Sequence, residues 1–170
     1  CISLHKLQLA CREFQYLGYH CSASGIRVDE SKKSAIANAK PPDSIAMVRS
    51  WLGLTGFLRN FVQNYAEMTL PLTRLLTNKT RASIKSEGFS KFWTAECQKS
   101  FETLQALLID DDIMISFPRA TGDILVHTDA SDSVIGGFIS QLDEEGHLRP
   151  LGYYSKTLHP EKTRSWSVYE

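Results

Sequence analysis

No run of this 170-residue chain is apolar for long enough to span a bilayer, so no membrane helix is expected. Cysteine is sparse. Cys1, Cys11, Cys21 and Cys97 fit no zinc spacing and are too few for a disulfide framework. Reduced thiols, with Cys97 in a helix core, are the expectation. The five histidines form no spaced cluster of the kind that holds zinc. Internal repeats, low-complexity tracts and a charged-then-apolar leader are all missing. The chain starts at Cys1 and not at Met, and it reads as a cut inside a longer protein.

Net charge is absent too, with nineteen basic against nineteen acidic residues, but the balance conceals a split. Between 27 and 91 stand eleven basic residues against five acidic; from 92 onward six basic stand against thirteen acidic. A basic middle beside an acidic end points to two modules with different partners. The first suits phosphate backbones, the second metal cations or solvent. Solvated faces alone would give the same split.

Several elements are legible. The alternating aromatic stretch 14–21, followed by a turn at 22–25, predicts a β-hairpin. A helix is expected over 31–40, stopped by Pro41 and Pro42, after which Asp43 or Ser44 caps the next. Ile45, Val48, Leu52, Leu58, Phe61, Val62 and Tyr65 recur near helical spacing. Gly53 and Gly56 interrupt that run and predict a bend or a close helix contact. A short helix opened by Pro71 follows over 70–77, then a polar, basic linker over 78–91. Thr94 caps a helix with the stripe Cys97, Phe101, Leu104 and Leu108, closed by Asp110-Asp111-Asp112 as a solvated helix end. Strands are expected at 124–129, 134–141 and 148–155, with a turn at Asp143-Glu144-Glu145-Gly146. A further helix starts at Trp166.

Asp129 is the first chemical candidate. Alternation puts Leu125, His127 and Asp129 on one face of their strand and Ile124, Val126 and Thr128 on the other. A carboxylate at a strand end meets an open edge where a cation can enter; equally, it can cap the turn that follows. His127 reads as a packed side chain. Phe57 and Phe61 lie on the helical stripe and read as core, whereas Arg49 and Arg59 suit phosphate contacts. Tyr16 and Tyr19 suit stacking on bases or sugars.

Ordered along the chain, these pieces resemble the thumb and ribonuclease H region of a gypsy-type LTR-retrotransposon Pol polyprotein. Tyr16-Leu17-Gly18-Tyr19 is similar to the hairpin that grips a primer end. Leu52-Gly53-Leu54 with Phe57, Arg59, Phe61 and Tyr65 resembles the thumb signature, and Pro71-Leu72-Thr73 continues it. Phe92-Trp93-Thr94 with Glu96-Cys97-Gln98 resembles the helix entering the nuclease. Thr128-Asp129-Ala130-Ser131, Ile135-Gly136-Gly137 and Tyr153-Tyr154-Ser155-Lys156 resemble its first three strands.

The resemblance implies an α+β chain: a small helical thumb followed by a partial ribonuclease H-like mixed sheet. Residues 1–26 would end the reverse transcriptase palm, 27–91 would form thumb and linker, and 92–170 the leading part of the nuclease. It implies a template–primer duplex or RNA–DNA hybrid as partner, held through Tyr16, Leu17, Gly18, Tyr19, Arg49 and Arg59. It implies two Mg²⁺ ions in a complete nuclease site, with Asp129 as one ligand and Glu170 at or just before a second. The remainder of the Pol polyprotein is the implied protein partner, in an intracellular setting, cytoplasmic or particle-associated. The Tyr-X-Asp-Asp polymerase site is not in this sequence, and one Asp cannot hold two ions. The isolated chain is therefore expected neither to polymerise nor to cleave. The rival expectation is a non-catalytic nucleic-acid-binding module.

Overall fold

The computed structural model describes residues 10–158. The helix start expected at Trp166, and Glu170 with it, lie outside that range.

Strands β1 (Phe14–Tyr16), β2 (Tyr19–Ser22) and β3 (Gly25–Val28) open the chain. The stretch 14–21, expected as one arm of a hairpin, is a hairpin in itself. Tyr16 pairs with Tyr19 across a two-residue turn, and Leu17 (φ 50°) and Gly18 (φ 79°) both take the left-handed backbone that such turns require. A side chain at Gly18 would collide with the Lys32 stem. The expected turn at 22–25 then leads into the third strand.

Helix α1 (Glu30–Ala37) starts where the Asp29 carboxylate accepts from Ser31 N–H. Helix α2 (Ile45–Gly56) starts at Ser44, whose hydroxyl accepts from Met47 N–H. The helix runs straight through Gly53, around which a Cβ would meet nothing within 4 Å. The expected bend is thus not at Gly53; the break comes after Gly56, and a 3₁₀ turn (Arg59–Phe61) follows. Short helices α3 (Tyr65–Met68) and α4 (Leu70–Arg74, with Pro71 in its first turn) complete the run. The expected linker is not open chain. Thr77 caps a helix, α5 (Asn78–Glu87), which buries Ile84. A polar, basic surface hides a short apolar anchor, so its periodicity is weak.

Helix α6 (Ala95–Ile109) is capped by Thr94 and buries Cys97, Phe101, Leu104 and Leu108, the expected stripe. These side chains join one core with Val28, Ile36, Val48, Trp51, Leu58 and Leu72. Phe101 meets Trp51 with ring centroids 4.4 Å apart. Leu104 and Leu108 are fully buried, each worth about 1.5–3 kcal/mol. The buried face of α6 thus packs in the same core as the helices before it. After it, β4 (Met114–Ile115) joins β3, so the first sheet has the order β1-β2-β3-β4.

The second sheet holds β5 (Ile124–Ala130), β6 (Val134–Leu142) and β7 (Leu148–Thr157) in sequence order. The expected strands fall within one or two residues of these bounds. Every described pairing is antiparallel. The sheet leans on the helical module: Ala66 N–H donates to Ser155 Oγ at 2.9 Å, and Ser116 N–H donates to Pro150 C=O at 2.8 Å.

Candidate nucleic-acid interface and metal-binding carboxylate

The hairpin tip is open to solvent. Tyr16 is 61% and Leu17 69% exposed, because the tight turn lifts both clear of the core. Tyr19 is different. Its ring stacks on Phe57 at 4.7 Å and on Phe61 at 5.7 Å, and its hydroxyl donates to Phe57 C=O at 3.0 Å. Burial raises the Tyr19 phenol above its ordinary pKa. Tyr19 thus fastens the hairpin to the end of α2, while Tyr16 and Leu17 remain available. Phe61 is core as expected, but Phe57 is 40% exposed. Phe57 lies one residue past the end of α2 and presents its ring to Tyr19 and to Lys32.

Arg49, on α2, and Arg59, in the 3₁₀ turn, are both exposed. Arg59 also acts on Tyr65. Burial raises that phenol; the hydrogen bond with Thr55 and the Arg59 charge work against the rise.

Asp129 stands on β5, exposed and directly opposite Gly136 of β6, which in turn faces Ser155 of β7. Directly opposed residues share a face, so these three lie on the face that rests on α3. Asn64 reaches over Gly136, with its Oδ1 3.2 Å from the point where a Cβ would sit. The Asp129 carboxylate makes no hydrogen bond or ion pair among the described residues. The turn after it is capped instead by Ser131, whose Oγ accepts from Val134 N–H at 3.2 Å. His127 lies flat on Phe138, ring centroids 4.2 Å apart and planes 6° from parallel, yet it is exposed on β5 and not enclosed as a packed side chain would be.

Among the described residues no three His, Cys, Asp or Glu side chains stand together as a metal-binding group. Asp129 can give one oxygen donor, and two Mg²⁺ ions need several more. The described residues alone therefore do not form the metal site.

The acidic run 110–112 is not merely solvated. Asp111 accepts from Lys33 Nζ at 2.6 Å, and Lys33 is only 7% exposed. That bond, with the Lys33 charge, holds the Asp111 carboxyl below the ordinary carboxylate range.

Three further residues were given no structural role by the sequence reading. Lys32 lies with its Nζ 4.7 Å from the Phe57 ring centroid. Asn64 takes a left-handed backbone (φ 55°) that brings it to the second sheet. Gln141 is buried and binds the loop before β5, accepting from Arg119 N–H at 2.8 Å and donating to three carbonyls of 119–122. Lys32 and Asn64 are marked by no period or motif, and the partners of the three lie 19 to 72 residues away.

Comparison with known proteins follows this geometry. Residues 93–170 match the family described as an RNase H-like domain found in reverse transcriptase. The chain is 35% identical over 161 residues to the retrovirus-related Pol polyprotein from transposon opus of Drosophila melanogaster, covering 93% of this chain and 16% of that protein. It is 30% identical to the corresponding polyprotein of transposon gypsy from the same organism, covering 92% of this chain and 15% of that one. The chain thus spans about a sixth of the curated relatives it matches. Among solved structures, the foamy viral protease-reverse transcriptase in complex with RNA/DNA hybrid superimposes with a TM-score of 0.67 at 26% identity, over 93% of this chain and 20% of that one.

Proposed function

Residues 93–170 belong to the RNase H-like domain family of reverse transcriptases, the chain as a whole is a relative of gypsy-type retrotransposon Pol polyproteins, and from that premise we propose that it is the duplex-holding and leading nuclease segment of such an enzyme. The parent makes DNA on an RNA template and degrades the RNA strand of the hybrid. Residues 1–26 end the palm, 27–91 form the thumb, and 92–170 open the nuclease domain. The rest of the polyprotein supplies the polymerase site and the remaining nuclease carboxylates, in an intracellular, cytoplasmic or particle-associated setting.

The observation that carries this reading is the pairing, in one fold, of an open hairpin tip with a sheet whose strand β5 presents Asp129 to solvent. Tyr16, Leu17, Arg49 and Arg59 are exposed on the basic half, where contact with a duplex backbone needs no sequence readout. Mg²⁺, when bound in a complete site, stabilises charge on the attacking and leaving oxygens of the phosphodiester. Asp129 supplies one donor, with Glu170 or a residue beyond it as the next.

One observation favours a second reading. The face carrying Gly136 and Ser155 rests on α3, as suits a sheet that braces the helical module. On that reading the chain is a non-catalytic binding module.

Both readings are tested by anisotropy of a labelled RNA–DNA hybrid titrated with the chain at 50 and 200 mM salt. A steep loss of affinity across that range supports duplex holding, and a flat response removes it. Mg²⁺-dependent cleavage of the same hybrid by the purified chain, abolished in Asp129→Asn, would overturn the view that the segment is inactive alone.

A further inference from the structure

Two adjacent lysines on α1 have opposite surroundings. Lys33 is buried and spent on Asp111 at 2.6 Å. Lys32 is half-buried, and no carboxylate stands in ion-pair contact with it among the described residues, though its charge is felt by Asp29. The Lys32 stem runs under Gly18, at the hairpin turn, and its Nζ lies 3.2 Å from the position a Cβ would take there. The ammonium sits over the Phe57 ring, 4.7 Å from the centroid. Phe57 in turn is stacked on Tyr19, the closing residue of the turn. A lysine on a free stem loses rotamer freedom when it binds a phosphate. Here the aromatic face and the glycine gap have already narrowed that freedom. The cation is held at the hairpin turn, beside the two most exposed tip residues, Tyr16 and Leu17.

We propose that Lys32 is a backbone-phosphate contact of the nucleic-acid strand held at the hairpin tip, and that Phe57 and Gly18 are the residues that place its ammonium. This rests on the duplex-holding reading above and adds to it a residue that sequence pattern did not single out. The chemistry recognised is a phosphodiester oxygen. Tyr16 offers a ring face to the adjoining base or sugar, and Lys32 offers a fixed point charge.

The test is salt-dependent binding of a DNA duplex with a recessed end, comparing the whole chain with Lys32→Met and Lys32→Arg. Methionine keeps an unbranched stem between Gly18 and Phe57 and removes the charge, so a packing role alone would survive it. The expected result is a fall in affinity in Lys32→Met at low salt, with the slope of log K against log salt shallower by about 0.9, the value for one phosphate on B-form DNA. Lys32→Arg should restore most of that slope. Binding by the unaltered chain with an unchanged slope in Lys32→Met overturns the Lys32 assignment and leaves the duplex-holding reading intact. Absence of duplex binding by the unaltered chain overturns that reading, and this assignment falls with it.

Discussion

Asn64 and Gly136, 72 positions apart, meet where the helical module touches the second sheet, and the glycine is what lets them meet: Asn64 Oδ1 lies 3.2 Å from the absent Cβ. Gly137, its neighbour, points to the other face, where a Cβ would lie 2.7 Å from His127 C=O in the backbone of β5. The two glycines therefore differ in what must yield. Gly136→Ala asks a side-chain tip to move; Gly137→Ala asks a paired strand to move. Urea unfolding should show Gly137→Ala as the costlier change, by about 1–3 kcal/mol as overpacking usually costs, with Gly136→Ala below it. The reverse order would mean that the module and the sheet do not pack as described.

Lys33 and Asp111 give a pH signature. The folded Asp111 carboxyl lies below its ordinary value, so between the folded and the ordinary pKa the unfolded chain binds more protons. Stability from this pair is fully present above the ordinary carboxylate range and is lost as pH falls through the folded value. Asp111→Asn should lower stability at neutral pH and flatten the decline toward acid. Equilibrium unfolding at several pH values between neutrality and about 3, in the acid range where such carboxyls titrate, reads this directly; parallel curves for the two proteins would remove the pair from the account.

Gln141 holds the loop before β5 by four hydrogen bonds. Gln141→Leu keeps the volume and strands Arg119 N–H and the carbonyls it served. The expected loss is about 1–3 kcal/mol, the usual penalty for buried groups left unpaired. Hydrogen exchange at the Arg119 amide should quicken more than exchange along β6.

Arg49 and Arg59 are solvent-facing cations, and removing either should weaken duplex binding evenly across sequences. Each substitution to alanine should make the salt slope shallower by about 0.9. Asp129→Asn, by contrast, should leave duplex binding without added metal unchanged, because the carboxylate holds no described partner that its loss could disturb. A large gain in affinity in Asp129→Asn would place Asp129 against the phosphates and not at a metal.

The sequence was most readable where a local rule and a tertiary need coincide. Thr94 caps α6 and the stripe Cys97, Phe101, Leu104 and Leu108 faces the core, so period and burial agree. The three strands of the second sheet were found as apolar runs separated by turns with their own signals. The misreadings have both local and distant causes. The hairpin at Leu17-Gly18 was hidden inside an alternating run because its turn carries only one glycine and no Asn or Asp. Helix α5 was read as linker because a single buried residue, Ile84, anchors it. Gly53 suggested a bend that helix α2 does not make. The acidic run 110–112 is exposed, as read, but the ion pair of Asp111 was hidden because Lys33 lies 78 residues earlier. Asp129 could be placed at its strand end but not assigned a metal from local sequence, since among the described residues no group of three metal-binding side chains forms.

The pairing of β3 with β4 sets Ile26 opposite Ile115. Nearly ninety residues must be threaded between those two before the first sheet can close, and α6 must already be in place to bring the chain back. Contacts of such separation slow folding, because the entropy of closing the loop is lost before the contact rewards it. On a ribosome the opening hairpin thus emerges long before its last strand exists, and its edge stays unpaired in the meantime. A protease cut between 91 and 92, at the foot of α6, would separate β3 from β4 and strip the module of Phe101, Leu104 and Leu108 in one stroke. Neither product would be expected to hold its shape.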